Sequence, residues 1–584
     1  MRMDSTARQF VTLRRGTVGS ALAGNVLPIG WAAFLTVLIA GPWLAGGYIF
    51  GTDWPGPRRF DFPHDLSSSA LLQALLATVS LLLSGEATGK LFIFGFLFVA
   101  ATTAYRAIPT GGFVPRAAGS IVYLFNPFVY GRMQYGQLFL LAGYAVLPWV
   151  ALRLRRLLVE PRVATALTAA VSLAVLGVLS IHLFLVASFL AAMLLITHTF
   201  AANDKPVYLK RLVPALLITI GATLAASAYW VIPAVIGRGP EGTVIGAIGA
   251  ADLAAYAAIA DQHLGLLPNL LGLYGFWAEG TGRFASMKDF VPLWPAVLVL
   301  LLLVGALGVL AGFKRTQDQI APWVAGLLIA AAIALILEAG ISQPMTSVLV
   351  RWLDAVPIYR GMRDAGKWAA LLALVYSQLF GLGAIAILDR VSKLHRPGIT
   401  REWLQAMATG LLLAFPLYYG NGLLFGMHGE IKPSQYPPGW YAADQVLAAD
   451  RHPGRAVFLP WHEYTGLSFV RNRNRVVAPP APTFFSVPVL VSADPQVPGI
   501  VPPDNPDQMA VSSLVRDGAQ ANWAEVLAGR GVKYLLLARE VDWMSYSYLD
   551  GQPGLVRIGD YGSIILYRDD LTVEGHNSAA FEEK

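Results

Sequence analysis

The chain contains a long series of apolar segments, and these restrict it to folds that lie in a membrane. A helix needs about 20 largely apolar residues to cross roughly 30 Å of hydrocarbon. The sequence therefore predicts an all-α polytopic membrane protein with about eleven transmembrane helices. The predicted spans are 27–50, 91–107, 117–131, 136–152, 163–180, 183–200, 212–236, 291–312, 321–339, 368–388 and 403–426. Asn126-Pro127 interrupts the third of them, so we expect a kink there.

A further apolar stretch, 68–84, is predicted to lie on the outer surface instead of spanning. With the N-terminus in the cytoplasm and eleven crossings, the inner segments hold 19 Lys and Arg residues against 6 Asp and Glu residues. Short cytoplasmic loops rich in Lys and Arg are the expected orientation signal. If 68–84 crossed, Arg153-Leu154-Arg155-Arg156 and every later basic loop would face outward. We therefore predict a multi-pass plasma-membrane protein with a cytoplasmic N-terminus.

The composition changes after about residue 426, which predicts two domains. Residues 1–426 form the membrane domain, and residues 427–584 form a small extracytoplasmic α/β domain. Arg455–Leu459 is typical of a strand, 522–529 then 532–537 of a helix and a strand, and 554–568 of a hairpin. Two interpretations remain open for the aromatic residues of this domain, which either bind an acceptor glycan or pack in its core. These residues are Trp440, Tyr441, Trp461, Phe484 and Phe485.

Composition and motifs exclude several classes of function. The chain has no cysteine, which excludes thiolate catalysis, iron–sulfur clusters and cysteine-ligated zinc. No glycine-rich loop between a strand and a helix is found, so an ATP-driven pump is not predicted. The net charge of +7 results from the cytoplasmic loops, and nucleic acid is therefore not an expected partner.

Polar residues concentrate on the predicted outer face. The first outer loop, 51–65, holds the candidate catalytic residues Asp53 and Asp61 together with the candidate substrate-binding residues Arg58 and Arg59. The other candidate substrate-binding residues are Arg132, Gln134, His182, Arg360, Arg363, Asp364 and Lys367. Simpler interpretations remain: arginines reach the lipid headgroups from helix ends, and a lone histidine in a tight turn is a structural hydrogen-bonding residue.

This combination of charges suits a phosphate held in the outer headgroup layer. Fixed Arg and Lys side chains would bind a lipid-linked phosphate and stabilise the negative charge that develops as it leaves. A nearby carboxylate would take the proton from an attacking hydroxyl. Inversion at a sugar carbon in one step needs a single base when the leaving group is already good, unlike the hydrolysis of a glycoside.

With these features the sequence resembles the GT-C superfamily of integral membrane glycosyltransferases. The resemblance rests on the many spans, the acidic first outer loop with Asp53 and Asp61, and the C-terminal α/β domain. Within that superfamily the chain is most similar to the multispan region of actinobacterial arabinofuranosyltransferases and to related prokaryotic membrane proteins. The fragments that carry this similarity are 123–130, 145–149 and 359–368.

The resemblance implies a polyprenyl-phosphate sugar donor, a glycan or lipid acceptor, and transfer on the external face of the bilayer. It also implies that the first-loop aspartate, Asp53 or else Asp61, acts as the base or binds a divalent cation such as Mg²⁺ or Mn²⁺. Two other functions remain open. A lipid-linked saccharide transporter would show internal repeats, and no clear repeat is present. A non-catalytic protein of envelope assembly would keep the fold without an active site.

Overall fold

The computed structural model describes residues 18–571, except for residues 238, 284, 316–318, 395–399, 496–499 and 501–503. The predicted cytoplasmic arginines that precede residue 18 lie outside the described residues. The same holds for residues 572–584 of the predicted C-terminal domain.

Helices dominate the first three quarters of the chain. They are α1 (Val18–Ala40), α2 (Ala70–Leu82), α3 (Gly85–Ala107), α4 (Phe113–Leu124), α5 (Pro127–Tyr135), α6 (Leu138–Val159), α7 (Val163–Leu179), α8 (Ile181–Ala201), α9 (Lys205–Val235), α10 (Pro240–Ala247), α11 (Ala250–Ala255), α12 (Leu266–Leu271), α13 (Trp294–Lys314), α14 (Ile320–Ala339), α15 (Pro344–Leu353), α16 (Pro357–Arg360), α17 (Ala369–Val391) and α18 (Arg401–Tyr419). The polytopic helical fold predicted from the apolar segments is confirmed.

Within the described residues, eight helices are long and apolar enough to cross a membrane, and a bent pair makes a ninth candidate. The bent pair joins α18 to Asn421–His428 at 67°. Three shorter apolar helices, α2, α4 and α7, fall below that length. Eleven crossings require α4 and α7 to span as well, so the count of eleven stays a prediction.

Most predicted spans differ from the helices by a few residues at one or both ends, and two of them end or break differently. The first, predicted as 27–50, ends at Leu44. The apolar residues Tyr48 and Phe50 beyond it are buried in a core of the C-terminal domain. The third, predicted as 117–131, is broken into α4 and α5. Asn126 accepts a hydrogen bond from the Val129 amide at 3.1 Å and so caps the second helix. Pro127 follows at the first helical position, where no amide donor is required.

Close contact between α13 and α17 fixes the helix that begins at the candidate site. A Cβ atom on Gly308 would lie 1.9 Å from the Leu379 carbonyl oxygen, and one on Gly383 would lie 2.0 Å from that of Val304. Only glycine permits the two backbones to approach this closely. The position of α17, and of the residues just before it, is therefore set by packing in the helical core.

The C-terminal domain is an α/β sandwich around a five-stranded sheet. Its strands are β1 (Arg455–Leu459), β2 (Thr465–Gly466), β3 (Val476–Val477), β4 (Val489–Leu490), β5 (Val532–Ala538), β6 (Leu555–Asp560) and β7 (Ile564–Asp569), and its helices are Pro438–Ala449, Ala481–Phe484, Pro506–Asp517 and Trp523–Ala528. The sheet order is β4-β1-β5-β7-β6, and β2 and β3 form a separate antiparallel hairpin. The strand at 455–459 and the hairpin after residue 554 are confirmed.

Alternating residues of the sheet face two hydrophobic cores, as the two-residue period of a strand requires. Phe458 and Leu536 face one core, and Leu459 and Leu537 face the other. Four of the five aromatic residues with two open interpretations, Trp440, Trp461, Phe484 and Phe485, are buried in these cores, and Tyr441 packs against one of them. In this structure they are packing residues.

The first loop after α1 is part of the C-terminal domain in three dimensions. Tyr48 and Phe50 are buried in the same core as Trp440 and Phe458. The amide of Tyr48 donates to the Ser434 carbonyl at 2.8 Å, and the amide of Ser434 donates back at 2.9 Å. The loop that carries Asp53 is thereby attached to both halves of the chain.

Candidate functional site

Asp53 is held by a tight turn that packs against the end of α5. The Gly51 amide donates to the Trp54 carbonyl at 2.9 Å, and the Asp53 amide donates to the Tyr135 carbonyl at 2.7 Å. A Cβ atom on Gly51 would lie 2.6 Å from Cα of Gly136, which itself has φ = +82° and ends α5. Two facing glycines therefore allow the turn to lie directly on the helix end.

The Asp53 carboxylate accepts two hydrogen bonds from side chains far away in the sequence. The Tyr464 hydroxyl donates to Oδ1 at 2.9 Å, and Nε2 of Gln137 donates to Oδ2 at 3.4 Å. The side chain is exposed to a cavity but protein surrounds it on most sides. Burial of the carboxylate away from water raises the pKa of Asp53 to about 6, although both hydrogen bonds oppose the shift.

A cavity of about 1290 Å³ opens beside Asp53. It lies between the first loop, the N-terminal ends of α6 and α8, and residues 482–489 of the C-terminal domain. Asp53, Asp61, His182 and Lys367 all line it. The cavity exceeds the roughly 300–1,000 Å³ typical of small-molecule sites. It therefore has room for more than one sugar unit.

Lys367 enters the cavity from the segment that precedes α17. The residue is only 9% exposed and lies on a short 3₁₀ turn that spans Ala365–Trp368. Within the described residues its ammonium group has no ion pair within 4 Å. It is close enough to Asp53 to interact electrostatically with that carboxylate. A nearly buried cation without a direct partner is costly, and it is therefore suited to an anionic ligand.

Arg132 and Asp364 form a buried ion pair beneath the cavity. Both guanidinium Nη atoms of Arg132 donate to Asp364, the Nη2–Oδ1 distance being 3.1 Å. Nη1 also donates to Oε1 of Gln137 at 2.7 Å. Burial alone would raise the pKa of the Asp364 carboxyl, but Arg132, together with Lys367 and His182, outweighs burial and holds the pKa below its usual value. The network extends from Asp364 through Arg132 and Gln137 to Asp53.

His182 lies at the start of α8 and lines the same cavity. Ser180, two residues before it, caps the helix by accepting from the Leu183 amide at 3.4 Å. His182 interacts electrostatically with Lys367 and Asp364. The structure therefore brings Asp53, His182 and Lys367 together, from three distant parts of the sequence.

The remaining predicted arginines are engaged with neighbouring protein groups. Arg58 pairs with Asp444 at 2.6 Å, and Arg363 pairs with Asp252 at 2.7 Å. Neither of these two arginines lines the cavity. Arg360 donates to the Asp354 carbonyl at 2.9 Å and also lies outside the cavity lining.

Arg59 and Asp61 line the cavity as a pair, with 3.1 Å between Nε and Oδ1. Another substrate-binding candidate, Gln134, is buried and donates to the Tyr130 hydroxyl at 3.2 Å. Of the two catalytic candidates, Asp53 is therefore the one that faces the cavity without an ion pair among the described residues. We rank Asp61 below it for that reason.

Three residues near Asp53 were not selected from the sequence. Gln137 directly follows the glycine that ends α5, which is a signal that could have identified it. Tyr464 and Glu463 lie more than 400 residues from Asp53, and no local pattern marks them. Burial first, and then the charge of Asp53, raises the pKa of Glu463 to about 7.

A Mg²⁺ or Mn²⁺ ion at the first-loop aspartate would require several oxygen or nitrogen ligands. Within the described residues, no three Asp, Glu or His side chains come together. The Asp53 oxygens accept from the neutral donors Tyr464 and Gln137. The donor set does not fit a divalent cation held by protein groups.

Comparison with known proteins gives a likeness of fold. No protein-family model and no curated protein sequence matches the chain. The cryo-EM structure of arabinofuranosyltransferase AftD from mycobacteria matches 93% of this chain and 40% of that chain, at 14% identity and a TM-score of 0.57. A mutant form of AftD matches 92% and 41%, at 15% identity and the same TM-score. The crystal structure of apo ArnT from Cupriavidus metallidurans matches 97% and 98%, at 14% identity and a TM-score of 0.43.

The chain therefore spans about 40% of the length of the AftD chain that it matches. This likeness agrees with the predicted resemblance to arabinofuranosyltransferases at the level of fold alone. The chain is similar in fold to arabinofuranosyltransferase AftD from mycobacteria.

Proposed function

We propose that the protein is a membrane glycosyltransferase. It transfers a sugar from a polyprenyl-phosphate donor to a glycan or lipid acceptor of the cell envelope, on the external face of the membrane. The observation that carries the proposal is that Asp53 and Lys367 line the same large cavity. One is a carboxylate suited to accept a proton, and the other is a cation suited to bind phosphate.

The reaction needs one base and one anion-binding group. Asp53 accepts the proton of an acceptor hydroxyl as that oxygen attacks the anomeric carbon of the donor. The bond from this carbon to the phosphate oxygen breaks, and polyprenyl phosphate leaves with the electron pair. Because the oxygen attacks from the side opposite the phosphate, the configuration at the sugar carbon is inverted.

The charges around the cavity suit these roles. A pKa of about 6 places the Asp53 base near neutral pH, where a general base is most effective. Lys367 binds the donor phosphate and stabilises the charge that develops on it as it leaves. His182 lines the same cavity, and its ring also hydrogen-bonds to the Gly361 backbone. We assign the other ring nitrogen the role of accepting a hydrogen bond from a sugar hydroxyl.

Arg132 acts behind the cavity wall. It binds Asp364, three residues before Lys367, and it binds Gln137, which donates to Asp53. The base and the phosphate-binding cation are thereby attached to a single buried guanidinium. We assign Arg132 a positioning role, because it does not line the cavity.

A deletion strain tests the proposal and identifies the donor. Loss of the protein should cause one polyprenyl-phosphate sugar to accumulate in lipid extracts, as measured by mass spectrometry. A plasmid with the wild-type sequence should restore the normal level, and one carrying Asp53→Asn should not. If Asp53→Asn restores the normal level at equal expression, the protein acts without this base, as a non-catalytic assembly protein would.

A further inference from the structure

The turn that carries Asp53 is hydrogen-bonded to the C-terminal domain through the residues just before Asp53. The Ala478 amide donates to the Thr52 carbonyl at 2.7 Å. Nδ2 of Asn474 donates to Oγ1 of Thr52 at 3.0 Å, and Nδ2 of Asn472 donates to the Phe50 carbonyl at 2.9 Å. The residues immediately before Asp53 are therefore positioned by the domain that lies more than 400 residues later in the sequence.

Tyr464 extends this contact to the carboxylate itself. It directly precedes β2, which pairs with β3 in a short antiparallel hairpin. The hairpin is fixed to the sheet because Ser468 donates to the buried Glu540 through both its amide and its hydroxyl, each at 2.8 Å. From this support the Tyr464 hydroxyl reaches Oδ1 of Asp53 at 2.9 Å.

We propose that Tyr464 is a positioning residue for Asp53, and that the C-terminal domain thereby completes the active centre. This inference rests on the proposed function, in which Asp53 is the base. It assigns the domain a part in the chemistry in addition to any part in binding an acceptor. Among the described residues, the second carboxylate oxygen, Oδ2, accepts only the long contact from Gln137. Oδ2 is therefore the oxygen that we expect to accept the proton.

The direction of the electrostatic effect follows from the chemistry of the donor. Burial, followed by the charge of Asp53, raises the pKa of the Tyr464 hydroxyl, so this group stays protonated and donates. A donor to a carboxylate favours the ionised form. Loss of the hydroxyl should therefore raise the pKa of Asp53.

Other titratable groups also act on Asp53, and one of them, Tyr135, is itself a hydrogen-bond partner of Tyr464. The cations Arg132 and Lys367 favour the ionised carboxylate. Three side chains that would carry a negative charge when deprotonated also interact electrostatically with Asp53. They are Tyr135, Tyr256 and Glu463. Loss of one charge-assisted hydrogen bond changes the pKa of a carboxyl group by roughly one to two units.

The test measures the ionisation of Asp53 without requiring activity. Full-length protein in lipid vesicles is treated with a hydrophobic carbodiimide, which reacts with protonated carboxyl groups, and labelling of the Asp53 peptide is followed against pH by mass spectrometry. We expect the labelling midpoint of Tyr464→Phe to lie roughly one pH unit or more above that of the wild type. Tyr548→Phe, in the same domain but without a contact to Asp53, should leave the midpoint unchanged.

A second variant covers the case in which Tyr464→Phe does not fold. Difluorotyrosine at position 464 keeps the shape of the side chain and makes its hydroxyl a stronger donor, so the midpoint should move to lower pH. An unchanged midpoint in both variants would overturn the inference. If the midpoints move as expected but no wild-type transfer is detected, the glycosyltransferase proposal fails while the hydrogen bond to Asp53 stands.

Discussion

Arg132 and Asp364 form a two-point ion pair at the centre of the protein, between α5 and the segment that precedes α17. Arg132 is 1% exposed, and its guanidinium also stacks over the ring of Phe276 with 4.2 Å from Cζ to the ring centroid. A buried charge that loses its partner is left without compensation. This pair therefore bears on both the stability of the fold and the geometry of the site.

We predict that Asp364→Asn lowers the stability of the folded protein by about 3–5 kcal/mol, because the Arg132 charge stays buried without its counter-ion. Thermal unfolding in detergent measures the effect. Glu160→Gln provides the matched control, since Glu160 pairs with Arg162 at 3.5 Å on the exposed surface. This control should cost less than about 1 kcal/mol. Equal effects of the two substitutions would contradict a central role for the buried pair.

The contact between Gly51 and Gly136 leads to a second prediction. A methyl group on Gly51 cannot fit against α5, so Gly51→Ala should displace the turn and lower the transfer rate by at least tenfold. The same assay on Gly46→Ala provides a control in the same loop, because the nearest atom to its Cβ would be 3.8 Å away, which is ordinary contact. Loss of activity in both variants would point to general disruption of the loop instead.

The raised pKa of Asp53 predicts the acidic side of the pH profile. A general base acts in its deprotonated form, which decreases tenfold for each pH unit below the pKa. We therefore expect kcat/KM to fall with unit slope below about pH 6 and to level off above it. A profile that is flat down to pH 4 would show that a group with an ordinary carboxyl pKa, or none, acts as the base.

The nearly buried Lys367 should bind the donor through its phosphate. Lys367→Met keeps most of the side-chain volume and removes the charge, so it should weaken polyprenyl-phosphate binding about 10- to 100-fold. Isothermal titration in nanodiscs with polyprenyl phosphate measures this change. Lys432→Met, at an exposed position, serves as the control. Unchanged affinity in Lys367→Met would assign the phosphate to another group.

The sequence was sufficient to predict the class of fold, because the length of an apolar segment determines whether it can cross the membrane as a helix. It overestimated the first span, since hydrophobicity alone does not distinguish a residue that faces lipid from one in a protein core. Tyr48 and Phe50 were predicted to end a membrane helix, but they lie in the core of the C-terminal domain. Strand β1 was predicted with its correct bounds because a short continuous apolar run is typical of a strand that is buried on both faces.

The candidate site could be predicted only in part. The predicted topology alone was enough to assign Asp53 and Lys367 to the same, outer face of the membrane. Charged residues are also easily recognised in a largely apolar sequence. A sequence does not indicate whether a cationic side chain binds a ligand or forms an ion pair with a carboxylate of the protein. Arg58, which pairs with Asp444, illustrates this. Tyr464 was missed because its role depends on a contact across the whole chain.

The transfer reaction of Asp53→Asn, measured in vesicles with the donor that accumulates in the deletion strain, tests the central claim most directly. Asparagine keeps the size of the side chain and cannot act as the base, so transfer should fall by at least about 100-fold. Asp61→Asn, which alters the cavity carboxylate already paired with Arg59, should retain activity within a few-fold. Full transfer by Asp53→Asn, in protein that unfolds at the wild-type temperature, would contradict the account.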